Sequence, residues 1–122
     1  MANDFKRFTK PNVGTSTGAA SDAVYTVPAG AGSTALESIV IGITLANKAA
    51  TGITADVFLD NYDGTNDVYI VKGASIPAGS SLEIMSGNKI VVQNNGTTGD
   101  VIRVSAGTGS SLDATVTVLE DV

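Results

Sequence analysis

LESIVIGITLA, residues 36–46, is the most informative stretch of this chain. A helix would space its apolar residues at intervals of three and four. This run alternates instead, and it is rich in Ile and Val, which fit a pleated, half-buried surface. Successive strand side chains point to opposite faces, so Ile39, Ile41, Ile43 and Leu45 share one face and Ser38, Val40, Gly42 and Thr44 the other. The first set is the expected core face. The same alternation recurs in Ile53, Ala55, Val57 and Leu59 against Thr54, Asp56, Phe58 and Asp60. It appears again in Ala114, Val116 and Val118 against Asp113, Thr115 and Thr117.

Further strands are expected at residues 23–27, 67–72, 81–85, 89–93 and 100–105, which makes about eight. Between them lie AGAGS, NKAATG, DNYDGTN, PAGSS, SGN, NNGTTG and AGTGSS. These are turn compositions: Gly supplies positive φ, and Asn and Asp bond their own backbone. Short strands at roughly ten-residue spacing without helical interludes predict an all-β sandwich or small barrel, and the simplest closure is an antiparallel β-sandwich, jelly-roll or Ig-like. Two corners repeat a motif, VPAG at 27–30 and IPAG at 76–79. Proline fixes φ and lacks a donor, so it ends a strand, and the glycine allows the chain to reverse.

The first dozen residues, MANDFKRFTKPN, show no such alternation and are expected to form an extended N-terminal arm (1–12) before a single sandwich domain (13–122). Phe5 and Phe8 flank Lys6 and Arg7, and two of three phenylalanines in a free tail would be wasteful. The arm is therefore expected either to fold back on its own domain or to pack on a neighbouring subunit. Phe5, Lys6, Arg7 and Phe8 are the candidate partner interface.

The 122 residues suffice for one modest core. Cysteine and histidine are both absent. Disulfides, thiolate metal sites, and the commonest general base and metal ligand at neutral pH are thereby excluded. The net charge of −5 is uneven: residues 1–12 hold three cations against one carboxylate, so the remainder is strongly acidic. An acidic body argues against a phosphate backbone as partner. The longest apolar run, 39–46, is too short to span a bilayer, and the N-terminus lacks the apolar segment of a secretory signal. Neither nucleic acid nor membrane is an expected partner.

Several motifs imitate chemistry. Gly14 to Gly18, GTSTG, fits the hydrolase G-x-S-x-G pattern, but no histidine exists to take the serine proton. GAGSTA at 30–35 fits the dinucleotide fingerprint, but the run just beyond it, ESIVIGITL at 37–45, is β-branched and alternating, not the helix that fingerprint needs. The same objection removes Thr34-x-x-Glu37 as a helix capping box. The cluster Asp60 to Asp67 is dense in oxygen ligands, yet Tyr62 and Gly64 stand where EF-hand ligands should be. A polar hairpin tip is the expectation there, with a looser cation loop as the chemical alternative. Asn95-Gly96-Thr97 reads as a turn rather than a glycosylation site. No catalytic residue, metal or cofactor is expected, and the chain is not expected to be an enzyme.

From Val24 to Glu120 the chain resembles small structural proteins of tailed bacteriophages, in particular those of marine and cyanobacterial phages. The resemblance rests on VYTVPAG, SIVIGITLANK, ITADVFL, VYIVKGASIPAGSSLEIM and GDVIRVSAGTGSSLDATVTVLE, in that order. It implies a non-enzymatic virion structural protein that assembles as a homo-oligomer and contacts a major capsid or tail and neck protein. Capsid decoration is the first expectation; a neck or tail component and a glycan- or receptor-binding module are the alternatives. Sugar platforms favour Trp and Tyr, and only Tyr25, Tyr62 and Tyr69 are present, with no Trp.

Overall fold

A computed structural model describes residues 3–17, 21–62, 67–85 and 89–121. Its strands are β1 (Asn3–Lys10), β2 (Asp22–Thr26), β3 (Leu36–Asn47), β4 (Ile53–Asp60), β5 (Asp67–Ile76), β6 (Ser81–Glu83), β7 (Ile90–Asn94), β8 (Val101–Ala106) and β9 (Leu112–Asp121). There is no helix among the described residues.

The pairing is that of one long antiparallel ribbon. In that ribbon β1 lies beside β9, β2 beside β8, β4 beside β5, and β3 beside both β6 and β7. Rolling the ribbon brings β3 against β9 and β4 against β8. The result is a sheet β1-β9-β3-β6, with β7 also on β3, facing a sheet β2-β8-β4-β5. This is jelly-roll order, and it settles which of the two sandwiches compatible with the strand pattern is formed.

Residues 3–10, expected as a separate arm, are an edge strand of this sandwich, hydrogen-bonded along β9 from Asn3↔Asp121 to Lys10↔Ala114. The alternation was hidden because charges sit on both of its faces. Lys6 points inward, a device that keeps an edge strand from recruiting foreign strands.

The core lies between the sheets. Val40, Ile43 and Leu45 of β3 and Ala114, Val116 and Val118 of β9 meet Ala55 and Val57 of β4 and Ile102, Val104 and Ala106 of β8. The β3 face differs from the sequence expectation. Val40 pairs with Val118 and Gly42 with Thr117, so Ile41 is an extra residue, a bulge that switches the parity of the strand. Ser38 and Val40 are buried before it, and Ile43, Leu45 and Asn47 after it, while Ile39 and Ile41 turn outward. A second departure is Phe58, expected on the wet face. It does face outward, but it is 1% exposed, with the Tyr69 ring 5.4 Å away.

The two Pro-Ala-Gly corners share a solution that the sequence does not display. The carbonyl of the residue before each proline is caught by a buried asparagine amide. Asn94 Nδ2 donates to Val27 O at 2.8 Å, and Asn47 Nδ2 donates to Ile76 O at 3.0 Å and Pro77 O at 3.1 Å. The turns themselves differ. Gly79 takes φ +67° in a tight turn closed by Ser80 N to Pro77 O, whereas in the first corner the left-handed residues are Gly32 and Ser33, after the motif.

Candidate interaction face

The four residues singled out near the N-terminus divide by strand parity. Phe8 turns inward and packs on Tyr25, with ring centroids 4.6 Å apart. Lys6 also turns inward: its Nζ lies 2.9 Å from Oε1 of Glu120, a carboxylate whose side chain is 2% exposed. Glu120 Oε2 accepts a hydrogen bond of 2.7 Å from the Tyr25 hydroxyl, which also contacts Ser38 Oγ at 2.9 Å. Lys6, Tyr25, Ser38 and Glu120 thus join β1, β2, β3 and β9 through one buried charge. The contact with Glu120 holds the Lys6 ammonium above its ordinary pKa, and burial pushes the Tyr25 phenol up.

Phe5 and Arg7 turn outward, and Phe5 is 76% exposed. Across the outer surface of this sheet the register aligns Phe5 with Leu119, Leu119 with Ile39, and Ile39 with Val91. The four form an apolar ladder over β1, β9, β3 and β7, about 15 Å long at the usual strand spacing. Val91 is 56% exposed, and none of the four belongs to the core. The bulged Ile41 widens the ladder at β3. Phe5 and Val91 at its ends are exposed and Leu119 and Ile39 between them are half-buried, so the row is apolar on the solvent side of the sheet.

Its margins carry charge. On one side stand Arg7, paired in register with Thr117, and Lys89, two residues before Val91; on the other stand Glu37 and Gln93, opposite each other. All five are at least partly exposed, and among the described residues Arg7, Lys89 and Glu37 have no ion-pair partner. Beyond the basic margin, Thr9, Thr115 and Thr44 align, with Thr44 Oγ1 donating to Glu83 Oε2 at 2.9 Å.

Leu119, Ile39 and Val91 were not expected at the surface from sequence. A signal was present: IVIGI, IVV and VL place apolar residues at both strand parities, so whichever face is buried, the other is apolar too.

The chemical-looking motifs resolve into turns. Gly14 and Ser16 lie between β1 and β2 rather than at a strand-to-helix elbow, and Gly14 N donates to Asp22 Oδ2 at 2.6 Å; Gly18 lies outside the described residues. Gly30 to Thr34 is a hairpin in which Gly30 N donates to Thr34 O. Asn95 Oδ1 accepts from Thr97 N and Thr98 N of its own turn. Of the acidic cluster, Asp60 Oδ2 accepts from Arg103 Nε at 2.9 Å, and residues 63–66 lie outside the described residues. No group of three or more acidic residues able to hold a metal occurs among the described residues. Asp100 instead organises a turn, its two carboxylate oxygens accepting from Tyr62 N and Gln93 N.

The richest constellation outside the core is therefore the ladder with its charged margins, a surface suited to docking another macromolecule. Neither a protein-family model nor a curated protein matches this chain.

Proposed function

We propose that the protein is a non-enzymatic structural subunit of a tailed-bacteriophage virion, a homo-oligomer that decorates the capsid beside the major capsid protein. The observation that carries this reading is the outward-facing apolar ladder Phe5, Leu119, Ile39 and Val91 on the outer sheet face. A subunit that functions by occupying a place on a shell needs such a face and needs no reacting group. The jelly-roll order supports the reading by analogy of fold, since viral capsid domains use it, as do lectins and cupins. The strand and turn segments that resemble phage structural proteins support it independently.

Small interfaces suffice on a shell, because symmetry repeats each contact and effective concentration multiplies its effect. The test is immunogold electron microscopy of purified parent virions with an antibody against the chain. Label over the head surface is the expected result. Label confined to the neck or tail would move the subunit there, and particles that carry none of the chain would overturn the proposal.

A further inference from the structure

The structure assigns the ladder face to a second copy of this chain, docked about a two-fold axis that lies in the interface parallel to the ladder. This inference rests on the homo-oligomer reading above and adds the surface, the partner and the geometry.

The patch is complementary to itself. A two-fold contact places the same patch on both sides, so every feature of the patch must tolerate its own image. An axis along the ladder sets Phe5, Leu119, Ile39 and Val91 each against its counterpart, an apolar seam between stacked sheets. The same rotation reverses the strand direction, and the basic margin of one copy then crosses the acidic margin of the other. Lys89 meets the row that holds Glu37 and Gln93 of the second copy. A two-fold axis along the strands would instead superpose the β1 side on the β7 side and set Arg7 against Lys89, like charges that repel. The charge pattern therefore selects one of the two in-plane axes.

The size is consistent with a weak, specific pair. About eight residues on each of β1, β9 and β3 and five on β7, at ~3.3 Å along and ~4.8 Å across the strands, present about 450 Å² per copy, or about 900 Å² in total. That is the lower end of specific interfaces, with a Kd expected at about 1–100 μM. Phe5, the most exposed of the large apolar side chains, is the anchor whose truncation should matter most.

Sedimentation equilibrium of the purified full chain from micromolar to about millimolar concentration is the test. We expect a monomer–dimer equilibrium that Phe5→Asp weakens by on the order of 100-fold. Lys89→Glu and Glu37→Lys should each weaken it about five-fold, and the two together in one chain should restore it, since each image pair is then merely inverted. Circular dichroism of every variant confirms that the sandwich persists. A chain that stays monomeric at millimolar concentration, or a dimer indifferent to Phe5→Asp, would overturn the inference. Failure of the double charge swap to rescue the single ones would overturn the axis. A monomeric chain that still labels virions, and loses that label with Phe5→Asp, would give the face to the shell protein instead and leave the virion reading standing.

Discussion

Removing one oxygen tests how the two sheets are tied together. Tyr25→Phe keeps the ring, which is 1% exposed and packs on Phe8, and deletes only the hydroxyl. That hydroxyl donates to Glu120 Oε2 at 2.7 Å and touches Ser38 Oγ at 2.9 Å. A buried hydrogen bond to a charged group contributes about 1.5–3 kcal/mol, and its loss leaves the carboxylate desolvated with less compensation. We expect Tyr25→Phe to cost about 2–3 kcal/mol, a large share of the roughly 6–18 kcal/mol available to a chain of this size. With a urea m-value of about 2 kcal/mol/M, the midpoint should fall by about 1–1.5 M, and Tm by about 10 °C.

Glu120→Gln supplies the matching arm of a double-mutant cycle, with a coupling of about 1.5 kcal/mol expected between the two sites. The pH dependence has a definite sign. Burial raises the folded Tyr25 pKa above its ordinary 10.0, so its contribution is complete below that pH and is lost as pH rises from there through the higher folded value. Lys6, held above 10.5 by Glu120, acts in the same direction. The gap between wild type and Tyr25→Phe should therefore narrow above about pH 10. A cost under about 0.5 kcal/mol, or strict additivity in the cycle, would mean that this bond does not couple the sheets.

Other substitutions give equally specific outcomes. Asn47→Ala and Asn94→Ala should each cost about 3 kcal/mol in urea unfolding, because each strips a buried carbonyl of its donor. Asn47 ends β3 while Asn94 pairs with Leu36 at its other end, roughly 36 Å away along the strand, so the two losses should add within about 0.5 kcal/mol. Asp113, hydrogen-bonded by Lys48 and by Asn12 N, has its pKa lowered from 3.8. Its contribution is present above that pH and lost below it; the stability gap to Asp113→Asn should hold from about pH 5 upward and close by about pH 2. Its side chain is 43% exposed, so that gap should be small and shrink further in salt. The bulge predicts an asymmetry between neighbours: Val40→Asp should abolish folding by burying a bare charge, while Ile41→Asp should leave a folded chain about 1 kcal/mol less stable.

Deletion of residues 1–12 is a poor probe of assembly, because β1 is a strand of the sandwich. Such a chain would lose the counter-ion of Glu120 and uncover the β9 edge, so any failure to assemble would report damage to the fold. Phe5 and Arg7 can be changed without touching the core, because their side chains leave the sheet on its outer side.

The features legible from the residues alone are local ones. Alternating β-branched runs specify the strands β3, β4 and β9, and the Gly, Asn and Asp clusters specify the turns, because both signals act between neighbouring residues. The missing histidine and cysteine exclude disulfides, thiolate ligands and imidazole bases without any geometry. The remaining features depend on residues far apart in the chain, which meet only on folding. The jelly-roll order comes from pairing the first strand with the last. The parity switch at Ile41 exists only against Val118 and Thr117, since a bulge is a mismatch between two strands. The network of Lys6, Tyr25, Ser38 and Glu120 gathers residues from four strands around one buried charge. The ladder, too, is invisible in any single segment: Phe5, Leu119, Ile39 and Val91 become one surface only when the register of four strands places them in a row.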